Sequence, residues 1–386
     1  MFRISRLQQM LQLFPWAAFD RAVQEHRGDR HCKGFDSRDH LLAMTYAQLS
    51  DAGSLRQLEH SFNQHVRQHY HLRTGLVKRS TLADANCHRD PQIFAQTAAA
   101  LMQCLGSRVR RERAFMLFLL DSTSISLRGR GFEWTAPSAT RTPGLKLHLL
   151  FDAYNQRPVH QSITAANVND VSEGRKLRIE RGATYVFDKG YCDYGWWSRF
   201  SEGGARLVTR AKTNAALRLV QQLPIDPANA STIISDRIER FAFHSNRGGH
   251  RNRYTGHVRR VEVARPGKEP LMLVTNDLDS PAAEIAHLYK QRWQIELFFK
   301  WIKQHLSVKR FLGRSENAVR IQLLIALIVY LLVQLYKAKH GLTATLWHVL
   351  AQIRGGLMQP VEPEESPWKR RRRHLAQVAA LQHQLL

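Results

Sequence analysis

The spacing of apolar residues divides the chain into a helical first third and a strand-rich middle. Up to about residue 110 the apolar positions recur at helical intervals, as Leu41, Met44 and Leu49 illustrate. From about residue 113 the pattern changes to short apolar runs, of which residues 114–120 form the first. A continuous run of this kind is typical of a strand buried on both faces. The pattern therefore predicts helices first and a sheet after them.

The strand-rich middle contains more than one type of element. Further strands are predicted at residues 145–151, 157–165, 183–187 and 205–209, with helices beginning near Asn169 and Trp196. Three strands followed by an alternation of helices and strands predict a mixed α/β layer. Alternating segments between about residues 213 and 275, with a turn at Gly248 and Gly249, predict a β-rich insertion in that layer.

A helix-length stretch after the insertion has two different faces. Its apolar stripe, suited to packing on a sheet, consists of Ile285, Leu288, Ile295, Phe298 and Ile302. A second stripe places one carboxylate, Glu296, among Tyr289, Arg292, Lys300 and Lys303. Ion pairing on a solvated helix face is one interpretation, and it accounts for Arg292 and Lys300. A metal-binding carboxylate beside phosphate-binding cations accounts for all five residues.

The charge of the chain narrows the class of partner. There are 57 Lys and Arg residues against 32 Asp and Glu residues, a net charge of +25 that is spread along the sequence. Such a protein attracts polyanions, and nucleic acid is the first candidate. The predicted N-terminal helices and their joints contain Arg67, Arg73, Lys78, Arg79 and Arg89. These residues predict a helical DNA-binding domain over residues 1–110, and a helical dimerisation or packing domain is the alternative.

Other features argue against a membrane or disulfide-rich protein. The 386 residues with 44% hydrophobic content can bury the cores of two or three domains. The apolar run at residues 323–333 is too short to cross a bilayer, which needs about 20 residues, so it predicts a buried core helix. The N-terminus lacks an uninterrupted apolar region. The four cysteines show no CxxC spacing, which favours reduced thiols in a cytoplasm.

Two aspartates complete a candidate set of catalytic carboxylates with Glu296. Asp121 and Asp188 each follow a predicted strand directly, and a strand end holds a carboxylate rigidly. A single aspartate at such a position is usually a turn or helix-cap residue. Three carboxylates together can hold two Mg²⁺ ions about 3.5–4 Å apart, the arrangement used for in-line phosphoryl transfer.

The motifs around these acids resemble those of the DDE transposases of bacterial insertion sequences. More narrowly, the helix resembles the Y-x2-R-x3-E-x6-K signature of the insertion-sequence-four family. The four signature positions are matched by Tyr289, Arg292, Glu296 and Lys303. The sequences at residues 120–123 and 187–191 are similar to the first and second aspartate motifs of the family.

The resemblance implies a fold and a domain organisation. The fold would be α/β, with a ribonuclease-H-like mixed sheet, a β-rich insertion and a helical N-terminal domain. Residues 1–110 would bind DNA, and residues 113–340 would form the catalytic domain with its insertion at about 213–275. Residues 341–386 would form a C-terminal helical and basic tail that includes Lys369–Arg373.

The resemblance also implies roles for the candidate site residues. Asp121, Asp188 and Glu296 would be catalytic and would bind two Mg²⁺ or Mn²⁺ ions. The residues that would contact DNA phosphates are Tyr289, Arg292, Lys300 and Lys303. The partner would be double-stranded DNA, both transposon ends and target, bound by a homodimer. The protein would not bind a membrane. It would lie in the bacterial cytoplasm, associated with the nucleoid.

The implied function is binding of terminal inverted repeats, followed by DNA cleavage and strand transfer. A metal-dependent nuclease on the same fold and a non-catalytic DNA-binding derivative are the alternatives, and the intact set of three acids argues against the second. Known relatives form a DNA hairpin and stack a flipped base on a Trp of the insertion. No Trp lies between residues 213 and 275 here. A flipped base would therefore have to stack on Phe241, Phe243 or Tyr254. The alternative is that these three are aromatic residues of the strand core.

Overall fold

The helical first third is present in the structure, a computed structural model that describes residues 4–109, 116–135, 143–211, 215–242 and 254–361. The helices are α1 (Arg6–Leu11), α2 (Trp16–Glu25), α3 (Ser37–Ser50), α4 (Leu55–Asn63), α5 (Val66–Leu72), α6 (Arg79–His88) and α7 (Gln92–Val109). Local sequence fixes several starts: Asp36 and Asp39 form a capping box on α3, and the Ser54 hydroxyl caps α4.

The strands of the described residues form one mixed sheet. The elements in chain order are β1 (Leu117–Ser126), β2 (Gly144–Asp152), β3 (Arg157–Ala165), α8 (Asp170–Gly174), β4 (Thr184–Phe187), α9 (Tyr194–Glu202), β5 (Arg206–Arg210), β6 (Leu217–Gln222), β7 (Ile233–Phe241), β8 (Val258–Arg265) and β9 (Lys268–Thr275). Their order across the sheet is β3-β2-β1-β4-β5-β9-β8-β7-β6. β1 is antiparallel to β2 and parallel to β4, and β4 is parallel to β5.

The segment predicted as a β-rich insertion continues this same sheet. β9 pairs antiparallel with β5, with Val208 opposite Thr275, and β8, β7 and β6 follow outward from β9. Within the sheet, the insertion and the first five strands are therefore joined through a single strand pair. The predicted turn at Gly248 and Gly249 and the basic run Lys369–Arg373 lie outside the described residues.

The stretch predicted as a single helix after the sheet is two helices, so that prediction is wrong. α10 (Ala282–Gln291) and α11 (Trp293–His305) meet at Arg292. The Arg292 N–H donates to the Tyr289 carbonyl and the Ile295 N–H donates to the Arg292 carbonyl, each three residues back. This tighter hydrogen-bond pattern interrupts the regular helix at Arg292.

Two further helices complete the described chain, and the first is the core helix predicted around residues 323–333. They are α12 (Glu316–Lys339) and α13 (Leu346–Gly355). α12 is long and apolar enough to cross a membrane, but 89% of its most apolar stretch is buried inside the protein. It packs against α1, α3, α6 and α7, so the N-terminal helices share a hydrophobic core with a helix from the other end of the chain.

Helices cover both faces of the sheet around β1. Side chains alternate along a strand, so Leu117 and Leu119 pack toward α11 and α12, whereas Phe118 and Leu120 pack toward α9. The apolar residues predicted for the sheet-facing stripe of α10 and α11 are all buried. This three-layer arrangement holds β1 in the middle of the protein, with α11 directly against one of its faces.

Candidate active site

The two predicted aspartates lie side by side on neighbouring parallel strands. Asp188 follows β4 directly, as predicted. Asp121 does not follow a strand end, because β1 continues to Ser126 and Asp121 pairs with Leu149 inside it. Leu120 of β1 is opposite Phe187 of β4, so the next residue of each strand is an aspartate.

The alternation along β1 determines which face carries the candidate chemistry. Asp121 and Thr123 continue the series of Leu117 and Leu119, which face α11. Ser122, between them, belongs to the opposite face and donates its hydroxyl to Asp170 of α8. Asp121 therefore faces the two helices that carry the other candidate residues.

The junction between α10 and α11 brings the three acids into one cluster. The Tyr289 hydroxyl donates to Asp188 Oδ1 over 3.4 Å. One nitrogen of Arg292, Nη1, lies 3.4 Å from Asp121 Oδ2, and the other, Nη2, lies 2.5 Å from Glu296 Oε1. The guanidinium of Arg292 thus connects two of the acids, and Tyr289 holds the third.

The cluster is partly enclosed, which changes its electrostatics. The side chains of Arg292, Asp121 and Glu296 are 18%, 21% and 32% exposed. Burial raises the pKa of Asp121 to about 6, and the nearby charges of Glu296 and Asp188 add to that rise against the Ser122 N–H and Arg292, which oppose it. Burial also raises the pKa of Tyr289 to about 12, so its hydroxyl stays protonated at neutral pH.

The two candidate lysines of α11 have different positions. Lys303 donates to the Thr123 hydroxyl over 2.5 Å and to the Ser124 carbonyl over 3.3 Å, on the Asp121 face of β1. Burial and the nearby charge of Lys309 lower the pKa of Lys303. Lys300 is exposed to solvent. Lys303 therefore lies beside the acid cluster. Lys300 lies on the solvated face of the helix, as the ion-pairing interpretation expects.

Two exposed apolar side chains beside the cluster were missed from the sequence. Trp293 and Leu297 are 59% and 47% exposed on α11, next in sequence to Arg292 and Glu296. Exposed apolar side chains are common on protein surfaces, so only the place of these two beside the acids makes them candidates for substrate contact. Their positions outside the stripe of Ile295 and Phe298 were a signal that could have revealed them.

A second polar cluster on the opposite face of β1 was also missed. Asp170 accepts from the Ser122 hydroxyl over 2.8 Å, and Lys146 Nζ and His148 Nδ1 lie 3.1 and 3.4 Å from the same carboxylate oxygen. Glu173, one turn later, pairs with Lys176. Lys146 and His148 alternate with apolar residues along β2, which is the signal that could have placed them together.

Other predicted DNA contacts separate into exposed and buried residues. Arg89 is buried and donates to the carbonyls of Gly28, Phe35 and Asp36, so its role as a basic surface residue is excluded. The remaining basic residues of that region, Arg67, Arg73, Lys78 and Arg79, are exposed. Phe241 and Tyr254 are buried in the core on the α9 side of the sheet, as strand-core aromatics are, and Phe243 lies outside the described residues.

The three acids suit a divalent metal ion in their chemistry. Carboxylate oxygens are the preferred ligands of Mg²⁺ and Mn²⁺. Asp121 and Glu296 share one guanidinium, and Asp188 accepts a neutral hydroxyl, so the cluster has more negative than positive groups. Among the described residues, no group of three His, Cys, Asp or Glu side chains lies close enough together to hold a metal ion. The guanidinium of Arg292 lies between Asp121 and Glu296 and keeps these two carboxylates apart.

Comparisons with known proteins identify the family of the chain. The family described as a transposase DDE domain matches residues 112–332, and a domain of unknown function (DUF4372) matches residues 3–73. A protein of Sinorhizobium fredii named as a transposase, y4zB, is 45% identical over 256 residues, 66% of this chain and 70% of that protein. A Geobacillus stearothermophilus protein named as a transposase for insertion sequence element IS5377 is 29% identical over 63% of each chain.

A solved structure is also similar. It is the piggyBac transposase synaptic complex with hairpin DNA, with a TM-score of 0.46 and 11% identity over 94% of this chain and 82% of that one.

The matched region covers more than half of the sequence, and the chain belongs to the transposase DDE domain family. It is therefore a transposase, an enzyme that acts on DNA in transposition, as the motifs predicted. Enzymes of this family generally depend on divalent metal ions. The narrower resemblance to the insertion-sequence-four family stays a prediction.

Proposed function

We propose that this transposase binds the terminal inverted repeats of an insertion sequence and cleaves and joins DNA at the cluster of Asp121, Asp188 and Glu296. The observation that carries this proposal is the convergence of the three acids. Parallel pairing of β1 with β4 sets the two aspartates side by side, and Arg292 connects Asp121 to Glu296 through one guanidinium.

We also propose that the first five strands form a ribonuclease-H-like core of the insertion-sequence-four type. Three antiparallel strands, β3-β2-β1, followed by two parallel ones, β4 and β5, support the core, as do the helices on both faces. Of the four signature residues, Tyr289 and Arg292 contact acids of the cluster, and Glu296 is one of these acids. Lys303, the fourth, contacts β1 beside the cluster.

Asp121, Asp188 and Glu296 would hold two Mg²⁺ or Mn²⁺ ions, which when bound activate the attacking water or hydroxyl and stabilise the leaving oxygen. The protein's own residues fix this site. The sheet holds both aspartates side by side on neighbouring strands, and Tyr289 orients Asp188 through its hydroxyl. α11 packs on β1 and so sets the position of Glu296 relative to Asp121.

The DNA phosphates would lie along the outer side of α11. Arg292, Lys300 and Lys303 supply the positive charge, and Trp293 and Leu297 offer apolar contacts to the sugars or bases beside the cleaved bond. Tyr289 is buried and its hydroxyl already donates to Asp188, so it would position that acid and would not contact DNA itself. Such contacts position the substrate, and their loss reduces the rate without abolishing it.

DNA recognition would involve the N-terminal region and a second copy of the chain. We propose residues 1–110 as the DNA-binding region, residues 113–340 as the catalytic domain and residues 341–386 as a basic tail. The exposed residues Arg67, Arg73, Lys78 and Arg79 support a DNA-facing surface near α5 and α6. We further propose a homodimer on DNA, in the bacterial cytoplasm and associated with the nucleoid.

A nuclease without strand transfer is the second candidate, because the same acids serve both activities. The two are separated with duplexes taken from the DNA on either side of the gene. A transposase cuts these duplexes at the element's ends in Mg²⁺ and joins pre-cut ends to a plasmid. A nuclease cuts them without joining, and a non-catalytic derivative binds them and does neither.

A further inference from the structure

Arg292 lies at the point where two of the proposed metal ligands meet. Its Nη2 contacts Glu296 at 2.5 Å and its Nη1 contacts Asp121 at 3.4 Å. The side chain is 18% exposed, so water screens these contacts only partly. The other cations of the stripe do not share this position, because Lys303 bonds to Thr123 and Lys300 is exposed to solvent.

We propose that the Arg292 guanidinium occupies the place of a metal ion in the DNA-free protein, and that a DNA phosphate draws it away when metal ions enter. This proposal rests on the proposed role of Asp121 and Glu296 as metal ligands. It adds a second state for Arg292, which contacts carboxylates without DNA and a phosphate with DNA.

Competition follows from the oxygen atoms that both cations need. Mg²⁺ requires carboxylate oxygens at about 2.0–2.1 Å in a nearly octahedral shell. Asp121 Oδ2 and Glu296 Oε1 are the oxygens that Arg292 contacts, so the ion and the guanidinium cannot both lie between these two carboxylates. Metal entry therefore requires Arg292 to move.

A phosphate is a suitable second partner for the displaced side chain. Guanidinium groups bind phosphate oxygens in the same forked geometry that they use for carboxylates. Arg292 can therefore exchange one anionic partner for another without leaving a buried charge unpaired. Its position at the junction of α10 and α11, outside the regular hydrogen bonding of either helix, is a place where a small change of backbone angles is tolerated.

This exchange makes metal binding and DNA binding cooperative. In the DNA-free protein a metal ion must compete with Arg292, whereas in the complex the phosphate has already removed it. Because binding couplings are reciprocal, metal ions strengthen DNA binding by the same factor by which DNA strengthens metal binding. The transposase would thus load its metal ions only when DNA is in place.

The experiment measures Mn²⁺ binding to the full chain from the electron paramagnetic resonance signal of free Mn²⁺. The proteins are the wild type, Arg292→Ala, and Lys300→Ala as a control that removes an equal charge one turn beyond Glu296. We expect Arg292→Ala to bind Mn²⁺ about tenfold more tightly without DNA, which corresponds to about 1.4 kcal/mol. Lys300→Ala should change the affinity less than about threefold, since it removes only the repulsion of an exposed charge that water and salt screen.

A DNA duplex provides the second arm of the experiment. It should tighten Mn²⁺ binding to the wild type and have little further effect on Arg292→Ala, after subtraction of Mn²⁺ bound to the DNA itself. Arg292→Lys keeps the charge but replaces the planar fork with a compact ammonium group, so we expect an intermediate affinity. If Arg292→Ala unfolds at the temperature of the titration, Arg292→Lys takes its place in the comparison with the wild type.

Two results would overturn the inference in distinguishable ways. If Arg292→Ala gains no more affinity for Mn²⁺ than Lys300→Ala does, Arg292 is not a competitor and the proposal is wrong, while the metal site stands. If adding Asp121→Asn to Arg292→Ala leaves Mn²⁺ affinity unchanged, the ion binds elsewhere, and the proposed metal ligands fail together with the inference.

Discussion

The two faces of β1 each carry a polar cluster, and the clusters differ in their partners. On one face Asp170 has a hydroxyl, a lysine and a histidine within 2.8–3.4 Å. On the other face Asp121, Asp188 and Glu296 share one guanidinium and one tyrosine hydroxyl. Burial does not separate the clusters, because Asp170 is 25% exposed and Asp121 is 21% exposed. A shortage of positive partners, more than burial, distinguishes the proposed metal site from the cluster around Asp170.

The largest expected effect tests this difference with neutral substitutions in both clusters. Asp121→Asn, Asp188→Asn and Glu296→Gln should each lower single-turnover cleavage by at least about 10³-fold, because each removes a charged ligand from one functional unit. Asp170→Asn should keep cleavage within about tenfold, since its partners are the protein's own side chains.

Gel-shift measurements on the same proteins provide the control, because binding to the duplex should survive all four substitutions. A loss from Asp170→Asn as large as that from Asp121→Asn would remove the distinction between the two faces.

The next effect concerns stability and its dependence on pH. Because burial raises the pKa of Asp121 from 3.8 to about 6, its contribution to stability is full below pH 3.8 and is lost as the pH rises through about 6. The charged form therefore costs up to about 3 kcal/mol above pH 6. Asp121→Asn should stabilise the metal-free protein at pH 8 by up to that amount and bring no gain at pH 3.5.

Urea unfolding in a metal chelator at the two pH values checks this expectation. Asp170→Asn is the matched substitution, and we expect it to destabilise the protein by about 1–3 kcal/mol at pH 8, because Lys146 and Ser122 lose a charged acceptor. Equal changes for both variants at pH 8 would contradict the comparison.

The smallest expected effect concerns the two lysines of α11. Lys303→Ala removes the contact to Thr123 beside Asp121, and we expect cleavage to fall by about 10–100-fold through misplacement of the substrate. Lys300→Ala removes an exposed charge, so cleavage at low salt should fall by less than about threefold. Equal losses for the two variants would mean that distance from β1 does not matter.

The sequence predicts the convergence of the acids better than it predicts the details around them. β3 has the predicted bounds, and Asp188 follows its strand, because short apolar runs with clear ends define strands well. The apolar run ends at Leu120, so the local pattern predicts that Asp121 follows β1. Pairing of β1 with β2 extends the strand to Ser126, opposite Gly144, and such a partner is not visible in a local pattern.

The helix break and the second cluster show what local patterns cannot give. Apolar residues keep helical spacing across Arg292, so periodicity alone predicts one helix. The contacts of Arg292 with Asp121 arise only when distant segments fold together. The same holds for Asp170, whose partners come from β1 and β2, and for Trp293, whose exposure depends on what packs around α11.

The proposed binding of metal ions on the Asp121 face of β1 can be tested by iron-directed cleavage of the protein. Fe²⁺ replaces Mg²⁺ at carboxylate sites, and with ascorbate and peroxide it releases radicals that cut the polypeptide near the bound ion. On the DNA-bound wild type we predict cuts close to Asp121, Asp188 and Glu296 that excess Mg²⁺ suppresses. Cuts centred on Asp170 and Glu173, or cuts that Mg²⁺ does not affect, would show that the ions do not bind at these three acids.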